Sequence, residues 1–127
     1  MAVTSDIVTR AMRSLRLLSS GEEPTADEMS DGIIALNDML FAWRIEGLDI
    51  AHISLAENDT IDVPEDHLGT IRLALAARIG GEYGAELTPY DQMALDEGMK
   101  ALRAYYLNLS DLVPDNPLAW RNLALRD

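Results

Sequence analysis

An all-α fold is expected from three observations. Apolar residues recur at spacings of three and four in four separate stretches, the period of a helix with one buried face. Three of those stretches open on a Thr or Pro followed by acidic residues, the usual start of a helix. Alternation with a period of two is confined to one short segment, residues 48–63. The expected architecture is a four-helix core with a short β-hairpin or extended insertion between helices 2 and 3. Residues 1–109 make the helical domain, with the insertion at 48–63, and residues 110–127 make a C-terminal arm with a short helix.

The first helix is expected over about Ser5 to Leu18, with Thr4 as its cap. Ile7, Ala11, Leu15 and Leu18 then share one face. Ser19-Ser20-Gly21 ends it. Thr25 opens the second helix, and Glu28 stands three residues on, the spacing of a reciprocal capping box. Asp27, Glu28 and Asp31 lie where the helix dipole favours negative charge. The buried stripe of this helix reads Met29, Ile33, Leu36, Leu40 and Trp43 at spacings of 4, 3, 4 and 3. That is the seam of a helix nearly antiparallel to a neighbour. Gly47 suits a left-handed stop.

Ile53-Ser54-Leu55 and Ile61-Asp62-Val63 alternate around the turn-rich Glu57-Asn58-Asp59-Thr60. They read as a hairpin or a pair of extended segments that must lean on helices or on a partner. Pro64 suits the first position of the third helix, whose stripe is Leu68, Ile71, Leu75, Ile79 and Tyr83, with Gly84 as its end. Thr88-Pro89-x-Asp91 opens the fourth helix, with Leu95, Met99, Leu102, Tyr106 and Leu109 as its stripe. Pro114 interrupts it. Asn116-Pro117 then caps a short terminal helix carrying Leu118, Trp120, Leu123 and Leu125, either a lid on the bundle or an arm that docks on another chain.

A chain of 127 residues fits one domain. No apolar stretch is long enough to span a bilayer, and residues 1–15 hold no continuous apolar run, so neither a membrane span nor a secretory signal is expected. Without cysteine there is no disulfide framework and no thiolate metal site. The net charge of −12 is unevenly placed. Residues 1–20 sum to +2 and residues 99–127 to +1, while residues 21–98 set three arginines against eighteen carboxylates, a sum of −15. Such a middle repels a phosphate backbone, which argues against ordinary DNA binding.

Little in the sequence points to chemistry. His52 and His67 are fifteen residues apart and form no i, i+4 pair, and the carboxylates near them are better explained as helix-start charges. No pair of carboxylates stands out among eighteen, and the serines read as caps and turns. Gly80-Gly81 and Gly84 neither follow a strand nor open a phosphate loop. A hidden helix-turn-helix would need a basic outer face, and the second helix has an acidic one. No enzyme activity, metal or cofactor is expected.

The order of several pieces resembles a known family. They are Asp6-Ile7-Val8, Ala11-Met12-Arg13, Leu15 and Leu17; then Gly21-Glu22-Glu23-Pro24 with Ala26-Asp27-Glu28; then Ala35-Leu36-Asn37-Asp38-Met39-Leu40-x-x-Trp43-x-x-Glu46-Gly47-Leu48. Thr60-Ile61-Asp62-Val63-Pro64-Glu65 follows, and then Leu73 to Ile79 with Glu82-Tyr83-Gly84. Over residues 5–105 this is similar to the head-to-tail adaptors of short-tailed bacteriophages, the tail accessory factor or packaged-DNA stabilisation (head completion) family. The Leu-Asn-x-Met-Leu-x-x-Trp core with its trailing glycine is the most specific part.

The resemblance implies a helical virion protein at the head–tail junction, made in the host cytoplasm. It implies a ring, typically twelve-fold, beneath the portal protein, which extends the DNA channel, helps retain packaged DNA and joins the next tail protein. DNA would pass through without being read. Partner-facing residues are expected at Ile53, Leu55 and Ile61 in the insertion and at Leu118, Trp120 and Leu123 in the arm. Head–tail connectors of long-tailed phages share the helical ring plan and stay open. From a different class, a small acidic regulator that mimics DNA charge to block a host protein also stays open.

Overall fold

The computed structural model describes residues 2–19, 21–51 and 54–112, with side chains of the last helix through Tyr106. In chain order the elements are β1 (Ala2–Val3), α1 (Thr4–Ser14), α2 (Ala26–Ile45), β2 (Thr60–Ile61), α3 (Glu65–Tyr83) and α4 (Pro89–Leu112). The fold is therefore all-α, four helices with an extended insertion between α2 and α3. Among the described residues, one ladder joins the insertion to the start of the chain: β1 and β2 are antiparallel, with Ala2 opposite Ile61 and Val3 opposite Thr60.

Local chemistry explains most helix ends. At α2 the Thr25 hydroxyl accepts from the Glu28 N–H at 3.2 Å, and the Glu28 carboxylate accepts from the Thr25 N–H at 2.9 Å. This satisfies two amides that a helix start leaves without partners. At α4 the Thr88 hydroxyl accepts from the Asp91 N–H at 3.1 Å. Pro64 caps α3 from one position before the helix, and Gly84, at φ +67°, ends it.

The ends of α1 differ from the expected ones. Thr4 is the first helical residue and is fully buried. Its N–H and its hydroxyl both donate to the Asp59 carbonyl at 2.8 Å, and the Ser5 N–H donates to the Glu57 carbonyl at 3.1 Å. Two free amides of this helix start are thus satisfied by backbone 52 and 55 residues away, not by a side-chain cap. The helix also stops at Ser14, short of Leu18. Arg16 adopts φ +60°, and the Arg16 and Leu17 N–H groups return to the Arg13 and Met12 carbonyls at 2.9 and 3.1 Å. After α2 the same paired bonds run from Gly47 to Arg44 (3.1 Å) and from Leu48 to Trp43 (2.8 Å). Both are Schellman turns, but only the second has a glycine at the left-handed position.

The core lies between α1, α2 and α3, each of which packs on the other two, while α4 rests chiefly on α3. Ile7, Leu15, Leu36, Leu40, Trp43, Leu68, Ile71, Leu75 and Leu102 are buried in one contiguous cluster. Met29, Ile33 and Tyr106 are partly buried against it, and Leu95 is buried outside it. The buried face of α2 is wider than the expected stripe and adds Gly32 and Met39, because this helix meets α1 on one side and α3 on the other. Two glycines set helix spacing. A Cβ at Gly32 would overlap Val8 of α1, and a Cβ at Gly98 would overlap the Thr70 hydroxyl of α3.

Candidate interaction surfaces

The insertion is held from both sides by α1 and α2. The Asn37 side chain works as a short piece of strand: its amide nitrogen donates to the Leu55 carbonyl at 3.0 Å, and its oxygen accepts from the Leu55 N–H at 2.8 Å. Arg44 donates to the Ala51 carbonyl and lies 3.6 Å from the Asp49 carboxylate. The Asp59 carboxylate accepts from the Ala56 N–H at 2.8 Å and closes the tip of the loop. The bonds to Leu55, Ala51 and Ala56 satisfy backbone that would otherwise need water or a partner chain.

This anchoring corrects the expected partner-facing set. Leu55 and Ile61 are only 7% and 2% exposed, because Asn37 and the pairing with β1 turn them inward into the subunit's own core. What the insertion shows to solvent is acidic: Glu57, Asp59 and Asp62 are all exposed. Ile53, Leu118, Trp120 and Leu123 lie outside the described residues, as does the break expected at Pro114.

Exposed apolar surface lies elsewhere. On α2, Ile34, Phe41 and Ile45 are 57%, 39% and 89% exposed. They fall on one side of the helix at spacings of 7 and 4. Asp31 and Asp38 flank them on one edge. On the other edge Arg44 stacks over the Phe41 ring at 5.2 Å while bound to Asp49 and Ala51. On α4, Tyr90 and Met93 are exposed near its start. The helical period already sets Ile34, Phe41 and Ile45 off the expected stripe of Met29, Ile33, Leu36, Leu40 and Trp43, but only the packing shows that no neighbouring helix covers them.

A groove runs between α2 and α4 with α3 at its base. Met39, Trp43, Leu95 and Met99 line it with apolar surface, and Arg78, Asp96, Lys100 and Arg103 line it with charge. Arg103 reaches Glu46 of α2 at 4.0 Å across one end, and Lys100 pairs with Glu97 at 3.7 Å. These are exposed pairs, so each contributes ~0–1 kcal/mol.

Among the described residues the two titratable groups with a displaced pKa are tyrosines. Burial raises Tyr83, helped by Asp31, Glu28 and Glu82, and burial raises Tyr106, helped by Tyr105 and Asp62. His67 packs its ring on Tyr105 at 5.1 Å. Among the described residues no cluster of three His, Cys, Asp or Glu side chains is placed to hold a metal, and no helix is long and apolar enough to cross a membrane. At the N-terminal edge Arg10 pairs with Asp6 at 3.3 Å and Arg13 with Glu23 at 3.6 Å. Compared with known proteins, the chain matches no family model and no curated protein sequence.

Proposed function

We propose that the protein is a structural adaptor of a tailed bacteriophage, a head completion protein that assembles as a ring beneath the portal. In this role it extends the DNA channel, helps retain packaged DNA and offers a surface to the next tail protein. One observation carries the reading. The residues most specific to the resemblance, Leu36 to Leu48, work together as a single scaffold device. Leu36, Met39, Leu40, Trp43 and Leu48 are buried, Gly47 makes the turn at φ +100°, and Asn37 clamps the insertion. The buried members of the motif and Asn37 hold the subunit's shape, which suits a scaffold.

The charge distribution suits the same role. A ring around a DNA path benefits from an acidic lining, which keeps the duplex from sticking. The exposed carboxylates at 57, 59 and 62 are the natural candidates for that lining. The test is co-sedimentation with purified portal rings. Binding in a fixed ratio to the portal supports the adaptor. Absence of binding, together with tight, salt-dependent capture of one host enzyme, would replace it with the charge-mimic reading.

A further inference from the structure

Residues 113–127 lie outside the described residues, but the point they start from is known. They follow Leu112, the last residue of α4, and α4 forms one wall of the α2–α4 groove. Pro114 and Pro117 lack the amides that a continuing helix needs, so the chain can leave the α4 axis there. Leu118, Trp120, Leu123 and Leu125 then put four apolar side chains within eight residues. The α4 side of the groove, from Arg103 back to Leu95, lies roughly 14 to 26 Å behind Leu112 along the helix axis. Trp120 and Leu123, eight and eleven residues beyond Leu112, reach at most about 27 and 37 Å. Both therefore span the distance. The hollow that α4 borders at its start, by Pro89 and Gln92, is about 30 Å away, beyond the reach of Trp120.

Charge neither draws the segment in nor drives it off. Arg78, Lys100 and Arg103 at the groove are matched by Asp96, Glu97 and Glu46. In the segment, Asp115 and Asp127 balance Arg121 and Arg126, a sum of zero in a chain of net charge −12. Apolar matching is what remains, and it favours this hollow of about 550 Å³, lined by Met39, Trp43, Leu95 and Met99. The hollow between α2 and α3 is poorer ground, since Asp31, Asp38, Arg78 and Glu82 line it with only Ile34 and Ala35 as apolar neighbours.

We infer that residues 118–125 fold back onto the α2–α4 groove of their own subunit, with Trp120 seated in the hollow. Chain connection selects this occupant. Residues 113–117 are a short tether, which holds the segment at a local concentration of order millimolar. A second copy at micromolar concentration offers the same side chains at about a thousandth of that. Eight residues are few beside the roughly 20–30 per side of a standard interface, so the segment docks reversibly and water enters the groove between dockings. The inference does not rest on the adaptor reading. It makes the arm a strap: Leu118, Trp120 and Leu123 meet a partner only after leaving the groove, and a partner that takes them bares it.

The chain has no cysteine, so Asp127→Cys gives the full chain a single site for a nitroxide spin label. In an isotopically labelled chain carrying the nitroxide, amide signals of residues 95–103 should lose most of their intensity relative to the reduced label. Those of α1 should keep theirs. In a mixture of isotopically labelled chain without nitroxide and unlabelled chain with it, at the same total concentration, residues 95–103 should be unaffected. Trp120→Ala in the spin-labelled chain, with the signals of α1 and α3 unmoved, should restore the intensity. High salt should not restore it, because the charges at the groove cancel. Full intensity at residues 95–103 in the first sample would overturn the inference, as would a loss that survives Trp120→Ala. Equal loss in the mixture would also overturn it, since that places the segment on a second copy. Recovery in high salt would overturn it too, by showing that charge and not apolar burial holds the segment.

Discussion

α1, α2 and α3 close on one another, whereas α4 leans chiefly on α3 and turns a broad face to solvent. The closed half carries the insertion as well, tied to the start of α1 and to the middle of α2 by hydrogen bonds at both ends of the loop. In the closed half a buried side chain has neighbours on every side. In α4, Leu102 reaches the common cluster, while Leu95 is buried outside it at the edge of the groove. Two regions built from the same helical pattern therefore differ in how strongly they are held. The looser one borders the groove between α2 and α4.

The largest effect expected is in the core. Leu36→Ala removes a fully buried side chain shared by the closed half and should cost about 2–5 kcal/mol in urea unfolding. Leu95→Ala should cost clearly less, because water can enter from the groove in place of an empty cavity. Equal costs would break the distinction between the two halves. Next is the seam between them. Gly98→Ala pushes a methyl into Thr70 and should cost about 1–3 kcal/mol, with part recovered in the double variant with Thr70→Ala. Hydrogen exchange should show α4 amides opening before those of α1 and α3, and Gly98→Ala should widen that gap.

Asn37→Ala tests the insertion. It leaves both Leu55 backbone groups without their partner and should cost about 1–3 kcal/mol, with faster exchange at the Leu55 amide and little change in α4. Arg16→Gly works in the other direction. Arg16 holds a left-handed conformation that glycine adopts freely, so the variant should be more stable by about 1 kcal/mol, read as a higher denaturation midpoint. The smallest effect is at alkaline pH. Tyr106 has its pKa raised in the folded state, so its contribution is fully present below the ordinary tyrosine value, about 10, and is lost as pH rises through the raised one. Tyr106→Phe should flatten the alkaline loss of stability at α4 and leave the closed half unchanged.

Local signals were legible where the partners lie within one turn. The Thr25–Glu28 box, the Thr88 cap and the stops at Gly47 and Gly84 all depend on residues three to five apart, so their order in the chain predicts them. Thr4 reads as a cap by the same logic, yet its hydroxyl is spent on Asp59. Arg16 gives no warning of a turn, because the conformation belongs to the Schellman bonds and not to the residue type. Leu55 and Ile61 read as free extended residues because their anchors, Asn37 and Ala2, are 18 and 59 positions away.

The chain alone thus determined the helical class, most of the helix boundaries, the main apolar stripes and the uneven charge. Each of these arises from periodicity or from contacts a few residues apart, where chain order dictates geometry. Tertiary structure alone decided the pairing of β1 with β2, the burial of Leu55 and Ile61, and the exposure of the Ile34, Phe41 and Ile45 ridge. It also decided the groove between α2 and α4. Those depend on which helix face meets which neighbour, and a helix with apolar residues on two sides can bury only the side its partners reach.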